Sequence, residues 1–197
     1  MTRLPFRLLA ITSALIPTIA SAHTGVGDPG GLLHGFCHPI SGIDHILTMI
    51  AVGLFAAHLG GRALWLVPLT FVSVMAAAGV AGMAGIAIPF VEIGIGLSVV
   101  VLGLGIALQI NMPTLTAMAL VGFIAVFHGH AHGTEMPETV SGIAYGVGFV
   151  GATALLHAIG IGLGLVVGYA GRHSRRIAQA CGGAMALAGV AILSGIL

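Results

Sequence analysis

Two clusters of ionisable residues interrupt an otherwise apolar chain. The first, His38-Pro39-Ile40-Ser41-Gly42-Ile43-Asp44-His45, sets two histidines and an aspartate close together. The second, Phe127-His128-Gly129-His130-Ala131-His132-Gly133-Thr134-Glu135, sets three histidines beside a glutamate. Imidazole and carboxylate form a ligand set for a borderline divalent cation such as nickel, cobalt or zinc. Both clusters lie at the ends of apolar runs of membrane length, where ionisable groups are costly and by default mark a pathway or a site. The residue types therefore point to metal chemistry in a membrane.

The elements that must position these groups follow from composition. With 58% hydrophobic and 6% charged residues in 197, and a mean hydropathy of +1.15, the chain cannot cover a water-soluble globule. It reads as an all-α, polytopic integral membrane protein. The chain has no lysine, so a phosphate-binding GxxxxGK[ST] loop is absent and intrinsic ATPase activity is excluded. A net charge of +1 offers no basic patch for nucleic acid. Many of the 32 glycines are expected to let helices approach closely in lipid, as Gly142/Gly146 and Gly160/Gly164/Gly168 would at four-residue spacing.

Arg3 and Arg7, an apolar run from Leu8 to Ala20 and the small-x-small pattern Ala20-Ser21-Ala22 predict a secretory signal peptide over 1–22, with a single permease-sized domain over 23–197. Cleavage would leave His23 with a free α-amine, and amine plus imidazole can chelate a metal as a capture arm. Apolar stretches at about 38–59, 63–84, 88–110, 113–131, 140–170 and 175–196 predict roughly six spanning helices. Pro39, Pro68, Pro89 and Pro113 fall at or near helix starts, where a missing N–H is tolerated. With the mature N-terminus outside a cytoplasmic membrane, the loops bearing Arg62 and Arg172/Arg175/Arg176 fall inside, which obeys the positive-inside rule. Both mature termini are then extracytoplasmic, and both clusters reach the outer face. Cys37 and Cys181 fall at different depths, too far apart to be bridged.

Helix rise adds depth. His45 lies ~10 Å below a helix start at His38, and His128 lies ~8 Å below the outer edge of a ~30 Å core. Glu92, ~6 Å below a start near Ile88, belongs to the same outer third and could neutralise a bound cation. His38 and His45 are seven residues apart, as are His128 and Glu135, and His132 shares their helix face. A seven-residue axial gap of ~10 Å is awkward for two ligands of one ion. The expectation is an outer capture group of His38, His132 and Glu135 leading to a deeper group of Asp44, His45, His128 and Glu92. His130 points elsewhere if the segment stays helical, although Gly129 and Gly133 could unwind it.

The first cluster matches the HPxxGxDH pattern, and the second resembles the FHGxAHGxE pattern, of the HupE/UreJ family of membrane proteins. That family is regarded as nickel or cobalt permeases associated with hydrogenase and urease gene sets. The resemblance covers the whole chain. It implicates His38, Asp44 and His45, then His128, His132 and Glu135, and it suggests nickel first and cobalt second; His130 stands at a variable position. The function it implies is uptake of a hydrated Ni²⁺ or Co²⁺ as transported substrate, without a prosthetic group. Metal-delivery or metalloenzyme maturation proteins would be partners beside the lipid bilayer.

Blander readings stand beside these. A lone histidine in a helix is commonly a hydrogen-bonded packing residue, which is the reading for His34 and His58. His157, ~25 Å along a span from Val140, is either such a residue or a way-station toward the cytoplasm. A different class of function would be an intramembrane zinc hydrolase, with Glu135 or Glu92 activating water, although no HExxH motif is present. A metal sensor or storage subunit is a third reading. The chain is expected not to be an enzyme.

Overall fold

A computed structural model describes residues 29–137 and 139–197. The expected signal peptide, His23, Asp28 and Glu138 lie outside the described residues. Regular structure among the described residues is entirely helical: α1 (Pro29–Ser41), α2 (Ile43–Leu59), α3 (Ala63–Met83), α4 (Val91–Ala107), α5 (Thr114–Thr134), α6 (Gly142–Gly168) and α7 (Ser174–Leu193), with a 3-10 turn at Gly171–His173 before α7.

Among the described residues, four stretches are long and apolar enough to cross a membrane: α3, α5, α6, and α7 together with its leading turn. Helices α1 and α2, bent by 84° at Gly42, count as a fifth if the pair forms one span. Helix α4, at 17 residues, is shorter; it reaches ~26 Å at 1.5 Å per residue, less than a ~30 Å core. The chain is thus a multi-pass helical membrane protein, with four or five spans by this measure where sequence hydropathy predicts about six.

The first expected span is the one that differs in kind. It is not a single helix over 38–59. The helix starts nine residues earlier, at Pro29, contains Pro39 rather than beginning near it, and breaks at Gly42. Gly42 is extended (φ −97°, ψ 125°) and its carbonyl accepts the first bond of α2 from Ile46 N–H at 3.1 Å. The Asp44 carboxylate accepts the His45 backbone N–H at 2.8 Å, satisfying one of the unpaired donors of the new helix end. Pro68 also lies inside its helix, whereas Pro113 caps α5 and Pro89 precedes α4.

Helices pack in tight pairs, α3 on α5, α4 on α7, and both α1 and α2 on α6. Each seam is made of glycines that admit a neighbouring backbone: a Cβ on Gly129 would strike Met75 O, one on Gly133 would strike Gly79 O, and Gly53 meets Gly160 across the α2–α6 seam. Gly160 and Gly164 serve α2 as their spacing suggests. Gly146 and Gly168 face open space, so those two repeat positions do not pack a helix. Phe55, Phe71, Met49, Met75 and Leu102 fill the centre, while Ile143, Leu115 and Leu187 face outward, where lipid would solvate them.

Candidate metal site

Helix α5 remains helical through Thr134, so Gly129 and Gly133 seat it against α3 rather than unwind it. The 3.6-residue period then puts His128 and His132 on one face, with Glu135 capping the C-terminus. The first turn of α2 supplies Asp44 and His45, the first turn of α4 supplies Glu92, and α1 supplies His38. All converge at one end of the bundle. The Gly42 break changes how they do so: His38 and His45 do not share a face of one straight helix, because the 84° bend folds His38 over toward α5.

Two linked groups result. In the outer one, His38 Nε2 lies 2.9 Å from Glu135 Oε2, and ligand atoms of His38, His132 and Glu135 lie within 4.8 Å of one another. In the deeper one, the His45 ring lies 4.8 Å from His128 between centroids. His132 joins the groups, 4.8 Å from His38 and 4.3 Å from His45 between ring centroids. A cavity of about 190 Å³ is lined by His38, Asp44, His45, Glu92, His132 and Glu135.

Hydrogen bonds set which nitrogens are free to ligate. His45 Nδ1–H donates to the Asp44 carboxylate at 2.9 Å, which leaves Nε2 bare; that atom is buried and has no partner. Ser98 donates its hydroxyl proton to the Ile95 carbonyl, so its oxygen accepts from His128 Nε2–H at 3.0 Å and from Thr48 at 2.9 Å. That leaves His128 Nδ1 bare, again buried without a partner; neither ring nitrogen of His132 has a partner, so whichever is unprotonated is free to ligate. Buried polar atoms are nearly always hydrogen-bonded, so four unpartnered imidazole nitrogens on three touching rings, beside carboxylates, form a donor set that suits a metal ion. Holding one imidazole nitrogen with a carboxylate or hydroxyl fixes the tautomer and makes the other a ligand.

The remaining sequence candidates fall outside this cluster. His130 points away, and its Nε2–H donates to the Ile86 carbonyl at 2.6 Å, anchoring the loop after α3. His157 is deep in the bundle, against Phe71 and without the hydrogen bond expected of a packing residue. His58 lines a separate cavity at the opposite end with Gln109 and Arg175. Cys37 and Cys181 are free thiols. Sequence reasoning missed Ser98, whose signal is being the one hydroxyl in α4, and Tyr145, whose ring lies 5.9 Å from His38 between centroids.

The fold and site define a class: a helical multi-pass membrane protein with one mouth lined by histidines and carboxylates. The chain belongs to the HupE/UreJ family, whose model, described as HupE / UreJ protein, matches residues 10–192. It is similar to Protein HupE of Rhizobium leguminosarum bv. viciae, with 49% identity over 186 residues that cover 94% of this chain and 95% of that protein. No solved structure matches it.

Proposed function

We propose that this protein is a permease that takes up Ni²⁺, or Co²⁺, across the cytoplasmic membrane, capturing the ion from the extracytoplasmic side. The observation that carries the reading is the set of buried, unpartnered nitrogens on His45 and His132, at a cavity edged by Asp44, Glu92 and Glu135, and on His128 directly behind His45. Imidazole nitrogen suits nickel, cobalt and zinc, while an all-oxygen site would suit magnesium or calcium; family resemblance puts nickel first. A hydrated ion would exchange water for His38, Glu135 and His132, then pass to His45 and His128 as His132 keeps hold of it. Carboxylates offset its charge, and the half-open mouth favours release over the tight retention of a closed structural site. Without nucleotide chemistry the drive is a gradient: a divalent cation entering a negative interior gains roughly 4.6 kcal/mol per 100 mV. No prosthetic group is required, and delivery or metalloenzyme maturation proteins would receive the ion inside.

The zinc hydrolase reading gains no support: the chain has no HExxH motif, and Glu135, one of its two candidate bases, is engaged by His38. The test is Ni²⁺ uptake by purified protein in sealed vesicles with an imposed potential. His45→Ala and His128→Ala are expected to insert normally and to lose saturable binding and uptake; wild-type uptake in both would overturn the deep site.

A further inference from the structure

Among the described residues, two buried imidazoles lie outside the capture site: His130 bonds the Ile86 carbonyl and His157 bonds nothing. His157 on α6 is 2% exposed, and neither of its ring nitrogens has a hydrogen-bond partner. The ring packs edge-on against Phe71, with centroids 5.1 Å apart and planes at 90°. Phe71 in turn lies 5.7 Å from the ring of His128. Phe71 is wholly buried, so an imidazole–phenyl–imidazole series leads from the deep histidines into the bundle. The series also descends. His157 is three helical turns beyond Tyr145, the residue beside His38, which places it ~18 Å further along α6 and in the inner half of a ~30 Å core.

The surroundings hold that ring in place without satisfying it. Gly53 of α2 sits where a Cβ would strike the His157 backbone carbonyl, so α2 backs the histidine closely. One turn before His157, the Thr153 hydroxyl donates to Met75 Sδ at 3.7 Å, and Met75 is one turn after Phe71. The α3 and α6 faces are thereby registered, with Phe71 opposite His157. A histidine kept for packing alone would be expected to donate or accept a hydrogen bond at this depth. This one presents two free nitrogens behind an aromatic ring.

We propose that His157 is an inner transit ligand for the divalent cation and that Phe71 is the gate between it and the outer cluster. The proposal rests on the transport reading above. With the ring in its observed place, a dry apolar barrier stops the ion at His128. Rotation of the Phe71 side chain opens the step, in which a His157 nitrogen replaces the His128 nitrogen on the metal. Because the inner ligand is nitrogen, a cation that demands oxygen ligands, such as Mg²⁺, is refused a second time.

The test uses the full chain in sealed vesicles, reading Ni²⁺ binding and Ni²⁺ uptake separately. His157→Gln is expected to bind Ni²⁺ at the outer cluster as the wild type does and to transport it about tenfold more slowly. His157→Cys is expected to recover transport and to shift preference toward Cd²⁺, since thiolate is the softer ligand; a purely structural imidazole would produce no such shift. Phe71→Leu keeps the slot apolar but smaller and is expected to speed uptake with binding unchanged. Wild-type uptake in His157→Gln, or an unaltered metal preference in His157→Cys, overturns the inner ligand. Unchanged or slower uptake in Phe71→Leu overturns the gate. If the wild type itself moves no Ni²⁺, both the transport reading and this inference fall.

Discussion

An imidazole makes a dependable ligand when one nitrogen is held and the other is bare, and two residues perform the holding. Asp44 does so for His45 with a charge, and Ser98 does so for His128 with a hydroxyl whose own proton is committed to Ile95. Ser98→Ala should let the His128 ring turn and should weaken Ni²⁺ binding by about ten- to a hundredfold, read by calorimetric titration of the purified protein. Asp44→Asn should cost more, since it removes a negative charge from the cavity as well. Wild-type affinity in Ser98→Ala would deny that hydroxyl its orienting role. The ligand candidates were legible in sequence because histidine and carboxylate are conspicuous in apolar surroundings. Their supports were not: Thr48, Ser98 and His128 come from three helices, and no local pattern joins them. His130 was half legible, because helical period turns it away from His128 but does not disclose the Ile86 carbonyl.

Among the elements, the break at Gly42 decides the shape of the mouth. The apolar run from Ile46 onward outweighs the polar residues around Gly42, so a windowed sequence profile joins 38–59 into one span; the interruption depends on backbone conformation and on the Asp44 carboxylate that accepts the His45 N–H. The Gly42 φ and ψ are open to any residue, so space rather than conformational freedom requires glycine there. A Cβ would come to 2.7 Å from Asp44 Oδ1 and 3.2 Å from His45 Nδ1. Gly42→Ala should therefore displace the Asp44–His45 pair and lower Ni²⁺ affinity at least about tenfold, with helix content by circular dichroism unchanged. An alanine variant that binds as tightly as the wild type would show that the pair has room to shift. The α3–α5 seam makes a matching case. Gly133→Val should push the two backbones apart and cost about 1–3 kcal/mol of stability or more, whereas Gly146→Ala, facing open space, should leave thermal unfolding unaltered.

Across the described residues, the arginines and the site occupy opposite ends. Helix α2 leaves the histidine cluster and ends before Arg62; α6 leaves it beside Tyr145 and ends before Arg172, Arg175 and Arg176, all exposed. Helix α7 then returns, bringing Leu193 against Gly96 near the start of α4, so the last described residues lie at the cluster end. Arginines concentrate on the cytoplasmic side of membrane proteins, so the positive-inside rule predicts that the cluster faces outward and the C-terminus with it. An alkaline phosphatase fused after Leu197 should thus be active outside the cytoplasmic membrane, and a cysteine placed at Ser174 should resist a membrane-impermeant maleimide in intact cells. The direction of transport depends on this outcome. With the cluster outside, the membrane potential pulls a captured dication inward past Phe71 and His157; a fusion active only in the cytoplasm would reverse the molecule, set the same potential against the proposed route, and overturn uptake as its function.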